Sequence, residues 1–138
     1  MSSNQVRTGG CQCGAVRYRI VGEPFILVIC HCTQCQRQSG SAFGMSLIVR
    51  NEQLEVTGKL KTFARPSELG QEVVCAFCPE CGTRIHHRPK KAPDTTNVKA
   101  GTLDDTTCLE PQLQVWTRDK QPWVSLACPI PDVATQPQ

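Results

Sequence analysis

Residues 78–82 read Cys78-Pro79-Glu80-Cys81-Gly82, and this short stretch sets the problem that the rest of the chain must solve. Two thiolates in a C-x-x-C spacing reach one zinc ion at about 2.3 Å each. Gly82 lets the backbone curl, so that amide N–H groups point at sulfur. Such a knuckle fills two corners of a tetrahedron, so two further ligands must come from elsewhere. Cys11-Gln12-Cys13-Gly14 supplies them, because residues i and i+2 of an extended segment face the same side. Cys11, Cys13, Cys78 and Cys81 then form a closed structural zinc site that ties the start of the chain to its second half. The alternative is two buried thiol pairs without metal.

Cys30-His31-Cys32-Thr33-Gln34-Cys35 places three thiols within six residues. No protein ligand for the fourth corner is evident, and three ligands plus an exchangeable position is the catalytic zinc arrangement. Zinc there binds an incoming thiol and holds it as thiolate for attack on an electron-poor carbonyl carbon. Cys30, Cys32 and Cys35 are therefore candidate catalytic residues and candidate ligands of a second, labile zinc. Two alternatives stand beside this: a closed site completed by Cys75, Cys108 or a histidine, and a redox cluster without metal. His31 faces away from its neighbouring cysteines if the segment is extended. Arg37 is a candidate ligand-binding residue that meets a carboxylate. Cys75 alternates away from Cys78 and reads as a buried thiol. Cys108 and Cys128 stand alone, and the adjacent His86 and His87 cannot both face one ion.

The chain has 138 residues, enough for one domain with its own core. It carries ten cysteines, and seven of them fall in the tight clusters just described. Residues 1–10 show no apolar stretch of signal-peptide type, and the run 25–30 is too short to span a bilayer. The expectation is a cytoplasmic chain with reduced thiols and no membrane partner. A net charge of +3 falls short of a nucleic-acid binder's footprint and suits an anionic small substrate equally well. Arg84, Arg88, Lys90 and Lys91 support an alternative function, a zinc-stabilised binding module for nucleic acid or a protein partner. Few aromatics for base stacking argue against nucleic acid. A homodimer is an open arrangement.

Residues 15–20 alternate, with Val16, Tyr18 and Ile20 on one face, as a half-buried strand does. Residues 25–29 read as a buried strand, 33–39 as one or two helical turns ending at Gly40, and 44–49 as a strand. Residues 54–57 and 60–64 flank Gly58 and read as a hairpin. Further strands are expected over 72–77, 83–87, 97–100 and 113–116, with a polar loop over 88–96. Trp116 and Trp123 read as core or cavity-wall residues, and Asp104 and Asp105 as a turn. The expected layout is a flexible 1–8, a zinc-binding domain over 9–127 and a disordered Pro-rich tail over 128–138.

Three ordered motifs, Gly10-Cys11-Gln12-Cys13-Gly14-Ala15-Val16, the Cys30–Cys35 hexapeptide and Phe77-Cys78-Pro79-Glu80-Cys81-Gly82-Thr83, together resemble the glutathione-dependent formaldehyde-activating enzyme family and the related centromere protein V group. The resemblance runs from about Gly9 to Trp123. It implies an all-β fold of several small coiled antiparallel sheets, similar to translationally controlled tumour proteins, with at most one short helix. It also implies zinc on both cysteine sets, and a carbon–sulfur lyase activity joining formaldehyde to glutathione. Gln36 stands where relatives often carry a basic residue, and Arg37 follows it.

Overall fold

Ten strands and one α-helix build the chain across residues 5–67, 69–127 and 129–137, the parts described by the computed structural model. The strands are β1 (Val6–Gly10), β2 (Arg17–Val21), β3 (Ile26–Cys30), β4 (Gly44–Arg50), β5 (Leu54–Thr57), β6 (Lys61–Pro66), β7 (Glu72–Phe77), β8 (Arg84–Pro89), β9 (Thr95–Lys99) and β10 (Leu113–Val115). Helix α1 spans Thr33–Ser39 and ends on Gly40 in the left-handed region. The fold is mostly β, as expected, and divides into two sheets. One has three antiparallel strands in the order β1-β2-β5. The other has seven in the order β10-β3-β4-β9-β8-β7-β6, antiparallel except for the β10–β3 pair.

Strand periodicity explains how the large sheet acquires two different faces. In β4, Leu47 and Val49 point into the core beneath the small sheet, where they meet Tyr18, Ile20 and Val98. Ser46 and Ile48 point the other way and line a cavity. β3 is apolar throughout because both its faces are covered: Leu27 joins the core, while Val28 joins a second apolar cluster with Val115 and Trp116.

The expected 54–64 hairpin does not form. β5 pairs with β2 in the small sheet and β6 pairs with β7 in the large one, so the chain changes sheets at Gly58. Gly58 has φ +101, and a Cβ there would sit 2.3 Å from the Ala15 carbonyl oxygen. The close approach and the sign of φ both exclude a side chain. Gly58→Ala is expected to cost about 2 kcal/mol or more, read as a lower urea midpoint with an unchanged slope.

Three other boundaries differ from expectation. β1 begins at Val6, inside the stretch expected to be loose, because it supplies β2 with an edge partner. β8 and β9 extend into the expected 88–96 loop and leave only 90–94 between them. The tail is not a free coil over 131–136. It runs beside β10, with the Gln114, Trp116 and Thr117 amides donating to the Pro131, Thr135 and Val133 carbonyls. An edge strand with unpaired amides recruits it despite its prolines. Cys128 lies outside the described residues. No helix among the described residues is long and apolar enough to cross a membrane.

Candidate active site

The β1–β2 turn and the β7–β8 turn meet, and the four thiols of Cys11, Cys13, Cys78 and Cys81 come together with all sulfurs within 4.8 Å of one another. Cys11 and Cys13 Sγ lie 3.6 Å apart, and Cys13 and Cys78 Sγ 3.8 Å apart, across 65 residues of sequence. A tetrahedron with zinc–sulfur bonds of about 2.3 Å has edges of about 3.8 Å, so the donor set fits that ion. Backbone and hydroxyl groups are arranged for thiolate. Val16 N–H donates to Cys11 Sγ at 3.2 Å, Glu80 N–H to Cys78 Sγ at 3.4 Å, and Thr83 Oγ1 lies 3.2 Å from Cys81 Sγ. The Thr83 contacts pull the Cys81 thiol down to about 5. Gln12 N–H donates to Thr83 Oγ1 and laces the two turns together.

The second cluster forms where β3 runs into α1. The sulfurs of Cys30, Cys32 and Cys35 also lie within 4.8 Å of one another. Cys32 is the N-cap of α1, its Sγ accepting from Cys35 N–H at 3.3 Å, so the helix start itself fixes two of the three thiols. The Cys35 thiol is pulled down to about 3, by hydrogen bonds from Cys30 and Cys32 and by the positive charges of Lys99 and Arg65. Cys30 is pushed up by the same contacts. The cluster thus gives up its first proton readily and keeps its last.

This cluster opens on a cavity of about 330 Å³ against the outer face of the large sheet. Arg65 and Lys91 are among the residues lining it, and no carboxylate side chain is found among the described lining residues. Trp116 walls one side, with φ +57, a conformation rare for a bulky residue. The tail's backbone bond to Trp116 N–H and the bond from Trp116 Nε1 to Gln136 Oε1 hold it there.

The chain matches the family model described as glutathione-dependent formaldehyde-activating enzyme over residues 6–119. It belongs to that family. A Halomonas elongata protein that carries the same description in its name is 24% identical over 124 residues, spanning 86% of this chain and 79% of its own length. A solved structure of a Rhodobacter sphaeroides protein superposes with a TM-score of 0.54 at 22% identity, covering 75% of this chain and 91% of that one, which speaks for the fold.

Other candidate residues of this family member fall as follows. His31 is fully buried, points away from the cysteine cluster and pairs through Nε2 with Gln114 Oε1 at 2.8 Å. Cys75 is buried in β7 and outside both clusters, and Cys108 is exposed. His87 lines the cavity and pairs with Asn97, while burial pushes its pKa well below the usual value and keeps it neutral. His86 lies on the opposite face, where burial lowers it to about 4. Gln36 is structural: its side-chain amide donates to the His31 and Asp119 carbonyls and its oxygen accepts from Gln121. Arg37 is exposed and lines neither the thiol cavity nor the neighbouring one. Two residues beyond Cys35, it is turned about 200° around the helix from it. Asp104 pairs with Arg17 at 2.9 and 2.5 Å, which lowers it to about 2, and only Asp105 makes the expected turn, through Thr107. Trp123 is exposed and no part of the wall.

Sequence reasoning missed Lys99. This lysine is buried on β9, and its Nζ has no hydrogen-bond partner among the described residues. A Cβ on Gly44 would sit 3.2 Å from that Nζ and 3.3 Å from Cys35 Cβ, so the lysine head lies against the start of α1. Burial lowers its pKa, and the Cys35 and Cys30 thiols oppose that shift. The sequence offered no signal: residues 95, 97 and 99 share a face of β9 that reads Thr, Asn and Lys, so the lysine reads as one more polar side chain of a solvent-facing row. One charge at this range and an effective dielectric near 20 is worth about 2 kcal/mol. Lys99→Met is expected to weaken zinc binding at the three-thiol site about tenfold or more, measured by chelator competition. The melting temperature is expected not to fall, since a desolvated charge is removed.

Proposed function

We propose that the chain adds glutathione to formaldehyde at the Cys30–Cys32–Cys35 cluster, giving S-hydroxymethylglutathione, and so acts as a carbon–sulfur lyase in the reverse direction. The observation that carries this reading is three converging thiols opening on a cavity whose described side-chain charges are all positive. Family membership and the name of the Halomonas relative support the same substrates.

Cys30, Cys32 and Cys35 would hold a zinc ion, which when bound would supply Lewis acidity and lower the pKa of a substrate thiol. The remaining work falls to the chain. The Cys35 N–H and Lys99 hold negative charge on the sulfurs. Arg65 and Lys91 attract the tripeptide's carboxylates and orient its thiol inward. Apolar walls exclude water, which strengthens each of these charges. The sulfur attacks the aldehyde carbon, a carbon–sulfur bond forms, the C=O π bond opens, and the thiol proton ends on oxygen. Cys11, Cys13, Cys78 and Cys81 take the structural zinc. The reduced cytoplasm is the compartment that keeps these thiols available.

Exchange NMR on glutathione and formaldehyde tests this. Zinc-loaded protein is expected to raise adduct exchange at least about tenfold over the uncatalysed rate, and an unchanged rate would remove the formaldehyde reading. The binding-module alternative draws less support from the basic set. Lys90 pairs with Glu72, Arg84 with Gln38 and Arg88 with Thr96, and Lys91 turns to the cavity.

A further inference from the structure

Neither glutathione nor formaldehyde accounts for one side of the cavity. Arg65 and Lys91 suit two carboxylates, but the opposite wall is apolar: Ile26, Val28, Ile48, Leu113, Val115 and Trp116. Formaldehyde has no apolar chain to bury, and glutathione carries its charges at both ends. Ile26, Ile48 and Leu113 are only half-buried, so they retain surface that a ligand can cover.

Register shows where this wall leads. Val115 lies directly beside Cys30, and Leu113 beside Val28, on parallel strands. Ile26 lies beside Ile48 on β4. The apolar track therefore starts at the thiol cluster and runs away from it along β3 and β10. From Cys30 to Ile26 it covers about 13 Å at strand rise. A molecule whose reactive carbon sits at the thiols has its substituent laid on this track.

We propose that the aldehyde this chain takes carries an apolar chain, a medium-length alkyl aldehyde rather than formaldehyde alone. This rests on the thiol-plus-aldehyde reading above and specifies its second substrate. The reaction is the same addition: the thiol S–H adds across C=O, the sulfur–carbon bond forms, and the proton ends on oxygen as a hydroxyl. No oxidant or reductant enters. The wall supplies selectivity through burial, and one methylene in an apolar pocket is worth about tenfold or more in specificity.

Three measurements on the full, zinc-loaded chain test the proposal. With glutathione fixed, kcat/KM for hexanal is expected to exceed that for formaldehyde at least about tenfold. Unreactive 1-hexanol is expected to shift the methyl resonances of Ile26, Val28, Leu113 and Val115 in a saturable way, where methanol does not. Ile26→Ser is expected to lower the hexanal-to-formaldehyde ratio about tenfold, and if that variant does not fold, the hexanol titration of the parent chain still decides. Formaldehyde acceleration with no hexanal preference, or no methyl shifts, overturns the inference and leaves the formaldehyde activity standing. Methyl shifts without acceleration of any aldehyde overturn the thiol-plus-aldehyde reading itself, and this proposal with it.

Discussion

Cys78→Ser is expected to lower the melting temperature by about 10–15 °C and to abolish tight zinc binding at the four-thiol site. Cys78 is completely buried at the end of β7, and its sulfur lies 3.8 Å from that of Cys13 on the β1–β2 turn. The cluster laces the two turns together through its sulfurs, with the Gln12 amide-to-Thr83 bond beside them. Zinc binding to such a site carries about 10–16 kcal/mol in small peptides, which is as large as a whole domain's stability. Three remaining thiols retain part of that, so a loss of about 4 kcal/mol is the expected scale, and each kcal/mol moves the midpoint by roughly 3 °C at this size. Calorimetry and zinc analysis on the same sample read both effects. Cys75→Ala is the control. Cys75 is equally buried but belongs to neither cluster, so a modest cavity cost without zinc loss is expected. Equal zinc loss in both variants would break the assignment of the four-thiol site.

Cys32→Ser separates chemistry from folding. Cys32 both belongs to the three-thiol cluster and caps α1 by accepting from Cys35 N–H. Serine keeps the cap, because its hydroxyl oxygen accepts the same bond, but it is a poor zinc ligand. The expected result is a chain that melts within a few degrees of the parent, loses the second zinc and loses about 10³-fold or more of the adduct-forming rate. Cys32→Ala is expected to lose the same activity and, in addition, about 1 kcal/mol of stability with the cap. A mild chelator should distinguish the two sites in the parent chain. The three-thiol site opens on the cavity and empties first, while the four-thiol site retains its metal. Full activity in Cys32→Ser would remove the cluster from the reaction.

Where the sequence was informative, the information was short-range. Cys78-Pro79-Glu80-Cys81-Gly82 and Cys11-Gln12-Cys13 each fix a sulfur pair within a single turn, so each pair was readable from spacing, and their convergence was an expectation drawn from the two empty corners each pair leaves. The same holds for the alternation in β2 and for α1, which ends on Gly40 as expected. Gly58 shows the limit. Its flanking segments look like hairpin arms, yet β5 pairs with β2 and β6 with β7, pairings decided between segments distant in sequence.

The surroundings of the three-thiol cluster belong to tertiary structure. Lys99, Arg65, Trp116 and the tail residue Gln136 reach its neighbourhood from four separate segments. Arg37, the nearest arginine in sequence, is carried to the far side of α1 by about half a turn of helix. Covalent geometry dictates which thiols can share an ion, because neighbouring residues have few relative positions. Register across seven strands dictates which charges and apolar walls face that ion. Register is a property of the assembled sheet and not of any one segment.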